Sequence, residues 1–176
     1  MARWVVDTNV LIVASAADPS SPFAQTGTHV PIVEQEAVFR WVQALRKEPD
    51  DVVVIDMPHR LIPGEYANKL SKDDYGRRVM MEKLSRGECE FAEVDKDVDG
   101  HGVILGDAGA KIFDLQDRKM VAAAEASGAP IANACDTDWC QLEQEGVLAE
   151  LNVTVTHLLD AWIWPEYKRM CDEKKK

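Results

Sequence analysis

The chain has 176 residues, a length for one domain, and 46% of them are hydrophobic, enough for a core without disulfide or metal staples. Lys plus Arg number 20 against 31 Asp plus Glu, a formal charge of −11. That balance argues against a protein that holds nucleic acid mainly by neutralising phosphates, but not against chemistry in which metal ions bound to acids supply the positive charge.

The apolar run at 4–6 reads as a short strand that ends on Asp7, and Val10 to Ala14 carry the chain through a turn into a helix. Residues 18–31 are rich in Pro, Ser, Gly and Thr and read as a loop. Val38, Trp41, Val42 and Leu45 recur at helical spacing and predict a helix over 34–47. Four β-branched residues at 52–55 predict a strand buried on both faces, as in a parallel sheet. Residues 56–63 read as irregular, with Pro63 and Gly64 breaking the chain before a short helix at 65–70. A more polar helix is expected over 73–86, with Val79, Met80 and Leu84 on one side, then a strand at 91–94 and a loop over 95–109. A helix over 117–127 stops at Gly128. A strand at 130–134 leads into Cys135-Asp136-Thr137-Asp138-Trp139, and a last strand at 153–155 precedes a helix over 157–164, capped by Thr156 and ended by Pro165. Residues 170–176 read as a frayed tail.

Strands alternating with helices predict one α/β domain over 1–176 with a mostly parallel central sheet. No apolar run approaches the roughly 20 residues a bilayer span needs, and Asp7 interrupts any signal-peptide core, so a cytoplasmic protein that does not enter membranes is expected. Cys89, Cys135, Cys140 and Cys171 form no C-x-x-C pair and no zinc spacing with the four histidines, and read as free thiols.

The acids carry the chemistry. Asp7 ends one buried strand, Asp136 and Asp138 follow another, and Asp117 opens a helix. Ligands of open parallel sheets bind beyond the carboxyl ends of the strands. Taken singly, each acid is most often a turn or helix cap. Together at one address, with no matching basic cluster, they repel one another. A divalent cation is the simple remedy, and hard oxygen donors select Mg²⁺ or Mn²⁺.

Four motifs in order resemble those of PIN-domain nucleases. Val5-Val6-Asp7-Thr8-Asn9-Val10-Leu11-Ile12 is similar to the opening motif, and Glu65 in Ile62-Pro63-Gly64-Glu65-Tyr66 matches the helical glutamate that comes second. Asp117, opening the alanine-rich run Met120-Val121-Ala122-Ala123-Ala124, resembles the third; Ile131-Ala132-Asn133-Ala134-Cys135-Asp136-Thr137-Asp138-Trp139 resembles the fourth. The resemblance spans residues 5–139. It implies a three-layer α/β/α PIN-like fold and a metal-dependent endoribonuclease: a toxin of a toxin–antitoxin pair or a related RNA-cleaving effector. Asp7, Glu65, Asp117, Asp136 and Asp138 are then the catalytic and metal-binding set. The motif fits Asp136 in one register and Asp138 in another. Thr8 and Asn9 are expected to orient Asp7, with Asp114 and Asn133 also behind the ligands, and Asp114 competes with Asp117 for the third role. RNA is the expected substrate and a cognate antitoxin or other protein the expected partner, with oligomers allowed. Competing readings are a non-catalytic PIN-like scaffold binding RNA or protein, and a metal-dependent phosphohydrolase of small molecules.

Other signals carry less. Asp95-Lys96-Asp97-Val98-Asp99-Gly100 begins like an EF-hand loop, but Gly106 stands where the bidentate Glu belongs, so a solvated acidic loop is expected. Arg77, Arg78, Lys83 and Arg86 offer a basic helical face, more simply a solvated one. The tryptophans read as core or its rim rather than base-stacking platforms.

Overall fold

The structure, a computed structural model, describes residues 1–25 and 27–174. Thr26, within the expected loop, and residues 175 and 176 of the expected tail lie outside the described residues. Five parallel strands form the sheet. β1 (Arg3–Val6) lies at its centre between β2 (Val52–Pro58) and β4 (Ile131–Asn133), with β3 (Cys89–Val94) outside β2 and β5 (Val155–His157) outside β4. Inner strands covered on both faces must be apolar throughout, and Val5, Val6, Val53, Val54, Ile131 and Ala132 are wholly buried.

The helices lie in the crossovers. α1 (Thr8–Ala17) and α2 (Ile32–Lys47) join β1 to β2; α3 (Leu61–Lys69) and α4 (Tyr75–Ser85) join β2 to β3. The short α5 (Asp107–Ala110) and then α6 (Arg118–Ser127) lead from β3 to β4. α7 (Asp138–Gln144) and α8 (Val147–Glu150) lead to β5, and α9 (Asp160–Glu173) follows it. The chain steps outward from β1 to β3, then returns across the centre to β4. With right-handed crossovers, that reversal puts α1–α4 on one face and α6–α8 on the other, which makes three layers. Ala123 and Ala124 of α6 are buried on the sheet, and Gly128 ends the helix at φ 68. No helix among the described residues is long and apolar enough to cross a membrane.

Several boundaries differ from the sequence reading, each for a local reason. β2 continues through Asp56, Met57 and Pro58, and α3 begins at Leu61, so Pro63 and Gly64 lie inside the helix. The wholly buried Asp56 accepts hydrogen bonds from the Leu61 and Ile62 amides, both at 2.7 Å, and caps α3. Pro63 then falls in the first turn, where its missing N–H is not needed. Residues 138–150, unassigned from sequence, form α7 and α8. Thr156 belongs to β5 rather than to a cap, and α9 runs through Pro165 to Glu173, anchored by the wholly buried Ile163. Residues 170–173, expected to fray, are therefore helical.

On α4 the buried positions are Tyr75, Gly76, Val79, Met80 and Lys83, while Leu84 is exposed. Lys83 is no part of a solvated face. Its ammonium donates to the Glu48 and Asp51 carbonyls at 2.6 and 2.7 Å and pairs with Glu88 at 2.9 Å. The Asp97 carboxylate is occupied by its own loop, accepting from the Asp99 and His101 amides at 3.0 and 2.8 Å.

Asp56→Ala removes the cap of α3 and leaves the buried Ile62 amide and the half-buried Leu61 amide without acceptors. It is expected to lower stability by about 2 kcal/mol in urea unfolding. A loss below about 0.5 kcal/mol would show that α3 starts without it.

Candidate functional site

The crossovers from β1 and β4 leave toward opposite faces, so a crevice opens beyond their carboxyl ends. β1 and β4 pair directly, Val6 beside Ala132, and the Asp7 amide donates to the Ala132 carbonyl at 3.1 Å. Asp7 and the turn after β4 therefore emerge side by side. A cleft of about 740 Å³ lies there, and Asp7, Glu65, Asp114, Asp117 and Asp136 all line it.

Asp7 is 7% exposed and caps α1, accepting from the Asn9 amide at 3.2 Å. Its other carboxylate oxygen accepts from the indole N–H of Trp139, which is wholly buried at the start of α7. Asp117 occupies the N-cap position of α6 without capping it, and no hydrogen bond to its carboxylate occurs among the described residues. The carboxylates of Asp114, Asp117 and Asp138 approach within 4.8 Å of one another. Asp138 does not line the main cleft. It faces an adjoining hollow of about 320 Å³, and Asp114 and Asp117 form the wall between the two.

The side chains expected to orient Asp7 do other work. Thr8 donates to a Glu65 carboxylate oxygen at 2.5 Å, and Lys119 forms an ion pair with the other. The Asn9 carbonyl oxygen accepts from the Ala134 and Cys135 amides at 2.8 and 3.2 Å, clamping the turn after β4 to α1. Asn133 is wholly buried beneath the cleft. It accepts from the Asp136 amide at 3.1 Å and donates to the Asp136 carbonyl at 2.9 Å, and so sets that turn. Asp114, expected behind the ligands, is exposed at the front. Two contributors were missed. Trp139 could be read as core, but its N–H as the partner of Asp7 could not. Lys119, two residues past Asp117 and 5% exposed, gave no sign that it reaches Glu65.

The electrostatics record burial first and crowding second. Burial, reinforced by the charge of Asp136, raises the Asp7 carboxyl to about 7, against the lowering effect of the Trp139 and Asn9 N–H groups. Asp117 rises to about 9, through burial first and then the charges of Asp7, Asp136, Asp114 and Asp138. Asp136 also rises, through burial and the nearby Asp138 and Asp114, opposed by the Asp138 amide. Compared with known proteins, the chain matches no family model, no curated protein and no solved structure.

Asp7 and Asp117 hold protons in the fold at pH values where the unfolded chain has lost them. Raising pH from about 4 to about 9 therefore removes stability from the metal-free protein. Melting curves in EDTA are expected to show Tm falling across that window. Asp117→Asn replaces a carboxyl that must take up a proton to stay in the fold with a neutral amide, and removes no hydrogen bond among the described residues. It should raise Tm at pH 8 by roughly 2 to 4 °C for each kcal/mol relieved, and flatten the pH profile. A Tm that rises with pH would contradict the crowding.

Proposed function

We propose that this protein is a divalent-metal-dependent nuclease acting on RNA, of the PIN type its motifs resemble. One observation carries the reading: Asp7, Glu65, Asp117 and Asp136, from four separate segments, line a single cleft. Carboxyls buried without a cation are unfavourable, and neighbouring acids add to the cost, as the rise of Asp7 to about 7 and Asp117 to about 9 expresses; a bound cation reverses the sign of that cost. The donors fit such an ion. Among the described residues no histidine or cysteine lines the cleft, and hard carboxylate oxygens select Mg²⁺ or Mn²⁺ over zinc.

Asp114, Asp117 and Asp138, whose carboxylate oxygens approach within 4.8 Å of one another, would hold a metal most directly, with Asp7, Asp136 and Glu65 lining the cleft beside them. A divalent ion bound there supplies Lewis acidity toward a phosphoryl oxygen and a water of lowered pKa. The protein supplies the geometry. Trp139 and the first turn of α1 hold Asp7 in one orientation, while Asn133 fixes the Asp136 turn. The Asp117 carboxylate, without a hydrogen bond among the described residues, lines the cleft. Lys119 and Thr8 occupy both oxygens of Glu65, which leaves the aspartates as the stronger donors.

The test is incubation of the purified protein with mixed single-stranded RNA, and separately with single-stranded DNA, in Mg²⁺, Mn²⁺ or EDTA. Internal cleavage of RNA with either metal and none in EDTA is expected. Asp117→Asn should lower the rate by about 10²-fold or more while the protein stays folded, the equivalent of several kcal/mol of transition-state stabilisation. Undiminished cleavage in EDTA or by Asp117→Asn overturns the reading; cleavage of DNA alone changes the substrate class.

A further inference from the structure

One wall of the cleft is a single helical stripe. Leu61, Gly64, Glu65 and Asn68 recur at i, i+3, i+4 and i+7 of α3, and Arg60, just before the helix, and Lys69, its last residue, line the cleft with them. Three features of this wall are unexplained by the fold.

Arg60 and Lys69 are exposed, and neither forms an ion pair among the described residues, although five acids line the same cleft. The cleft's other cation, Lys119, is spent on Glu65. Arg60 also stands at φ 55, ψ 42, a left-handed conformation that non-glycine residues enter rarely and that clusters at functional sites. Gly64, finally, sits inside a helix, where glycine is less favourable than alanine. Packing does not require it, because a Cβ built there meets no atom within 4 Å. A bare stretch of helix backbone facing a cleft, with open space above it, is a place where a ligand can come close.

α3 has nine residues and is therefore about 13 Å long. Arg60 and Lys69 lie at its two ends, spaced to meet different phosphates of one strand rather than to clamp a single one. We propose that this face of α3 is the seat of the substrate's sugar–phosphate backbone. Arg60 and Lys69 each take a phosphate flanking the cleavage point, Gly64 admits the backbone between them, and the scissile phosphate lies across the cleft, toward Asp7 and Asp117. The inference rests on the nuclease reading and deepens it: the substrate is a polynucleotide strand, not a mononucleotide or a small phosphate ester.

The experiment measures binding of a fluorescein-labelled short single-stranded RNA by anisotropy, in Mg²⁺, from about 50 to 200 mM salt. It uses the Asp117→Asn protein, so that cleavage does not interfere. Arg60→Gln and Lys69→Gln are each expected to weaken binding several-fold at low salt and to reduce the slope of log K against log salt by about 0.7, the loss of one phosphate contact. Lys47→Gln, on α2 outside the cleft, should change neither. Gly64→Ala is expected to raise Tm by about 1 to 4 °C while weakening RNA binding, because it improves the helix and fills the seat. If the wild type cleaves RNA but both glutamine variants keep the parent slope and Gly64→Ala keeps its affinity, the α3 seat is overturned and the nuclease reading stands. If the wild type neither binds nor cleaves RNA, both fall. A Gly64→Ala protein that melts lower shows a packing need for the glycine and removes that support.

Discussion

The structure is organised around carboxylates held close together at the point where the sheet changes direction. β1 and β4 deliver Asp7 and the turn bearing Asp136 side by side because their main chains are hydrogen-bonded neighbours. α6 returns across the sheet and starts with Asp117 at the same end. Like charges so placed repel, and burial removes the water that would screen them. Neighbouring groups must then hold each acid where it would not stay alone. The Trp139 indole and the first turn of α1 do so for Asp7, and Asn133 for the Asp136 turn. Asp56 does so at one remove, by starting the helix that carries Glu65.

Close packing is the second requirement. Ala123 and Ala124 let α6 settle on the sheet. Gly102 lets the preceding loop touch α6 directly, since a Cβ there would come within 2.7 Å of the Lys119 Cα. Gly76 does the same between α4 and α1, where a Cβ would lie 2.5 Å from the Leu11 carbonyl oxygen. Backbones that approach too closely to admit a Cβ leave little room for the acidic end of α6 or the Asp7 end of α1 to drift.

Much of this was legible in the sequence because it is local. Short apolar runs placed Asp7 and Asp136 at strand ends, Asp117 was read as opening a helix, and an alanine run followed by glycine marked that helix. The parts that were not legible depend on partners far along the chain. Thr8 and Asn9 stand next to Asp7, so proximity assigned them to it. In the fold Thr8 serves Glu65, 57 residues away, and Asn9 serves Ala134, 125 residues away. Lys83 looked like one more charge on a polar helix, because nothing nearby announces the two carbonyls that hold it. Two prolines expected to interrupt a helix lie inside one. Pro63 was read as a break and lies in a first turn, while Pro165 was read as a stop and lies within α9. In each case tertiary capping or anchoring overrode the local preference.

The Lys119–Glu65 pair gives the cleft its polarity. Glu65 is the one acid on the α3 wall, and the ammonium of α6 crosses the cleft to offset it. What remains on that wall is Arg60 and Lys69; what remains opposite is Asp7, Asp114, Asp117 and Asp136. The chain as a whole carries a charge of −11 and repels polyanions at distances beyond a Debye length of about 8 to 10 Å only weakly, but inside that range strongly. A phosphate strand approaching such a surface meets attraction where cations stand without acidic partners. On the proposed reading, the α3 wall is such a strip, and it lies across from carboxylates that only a bound divalent ion makes hospitable to a phosphate. Metal occupancy and strand binding then support each other. A cation held by the aspartates would neutralise the far wall toward a phosphate strand, while Arg60 and Lys69 would hold the strand from the α3 side.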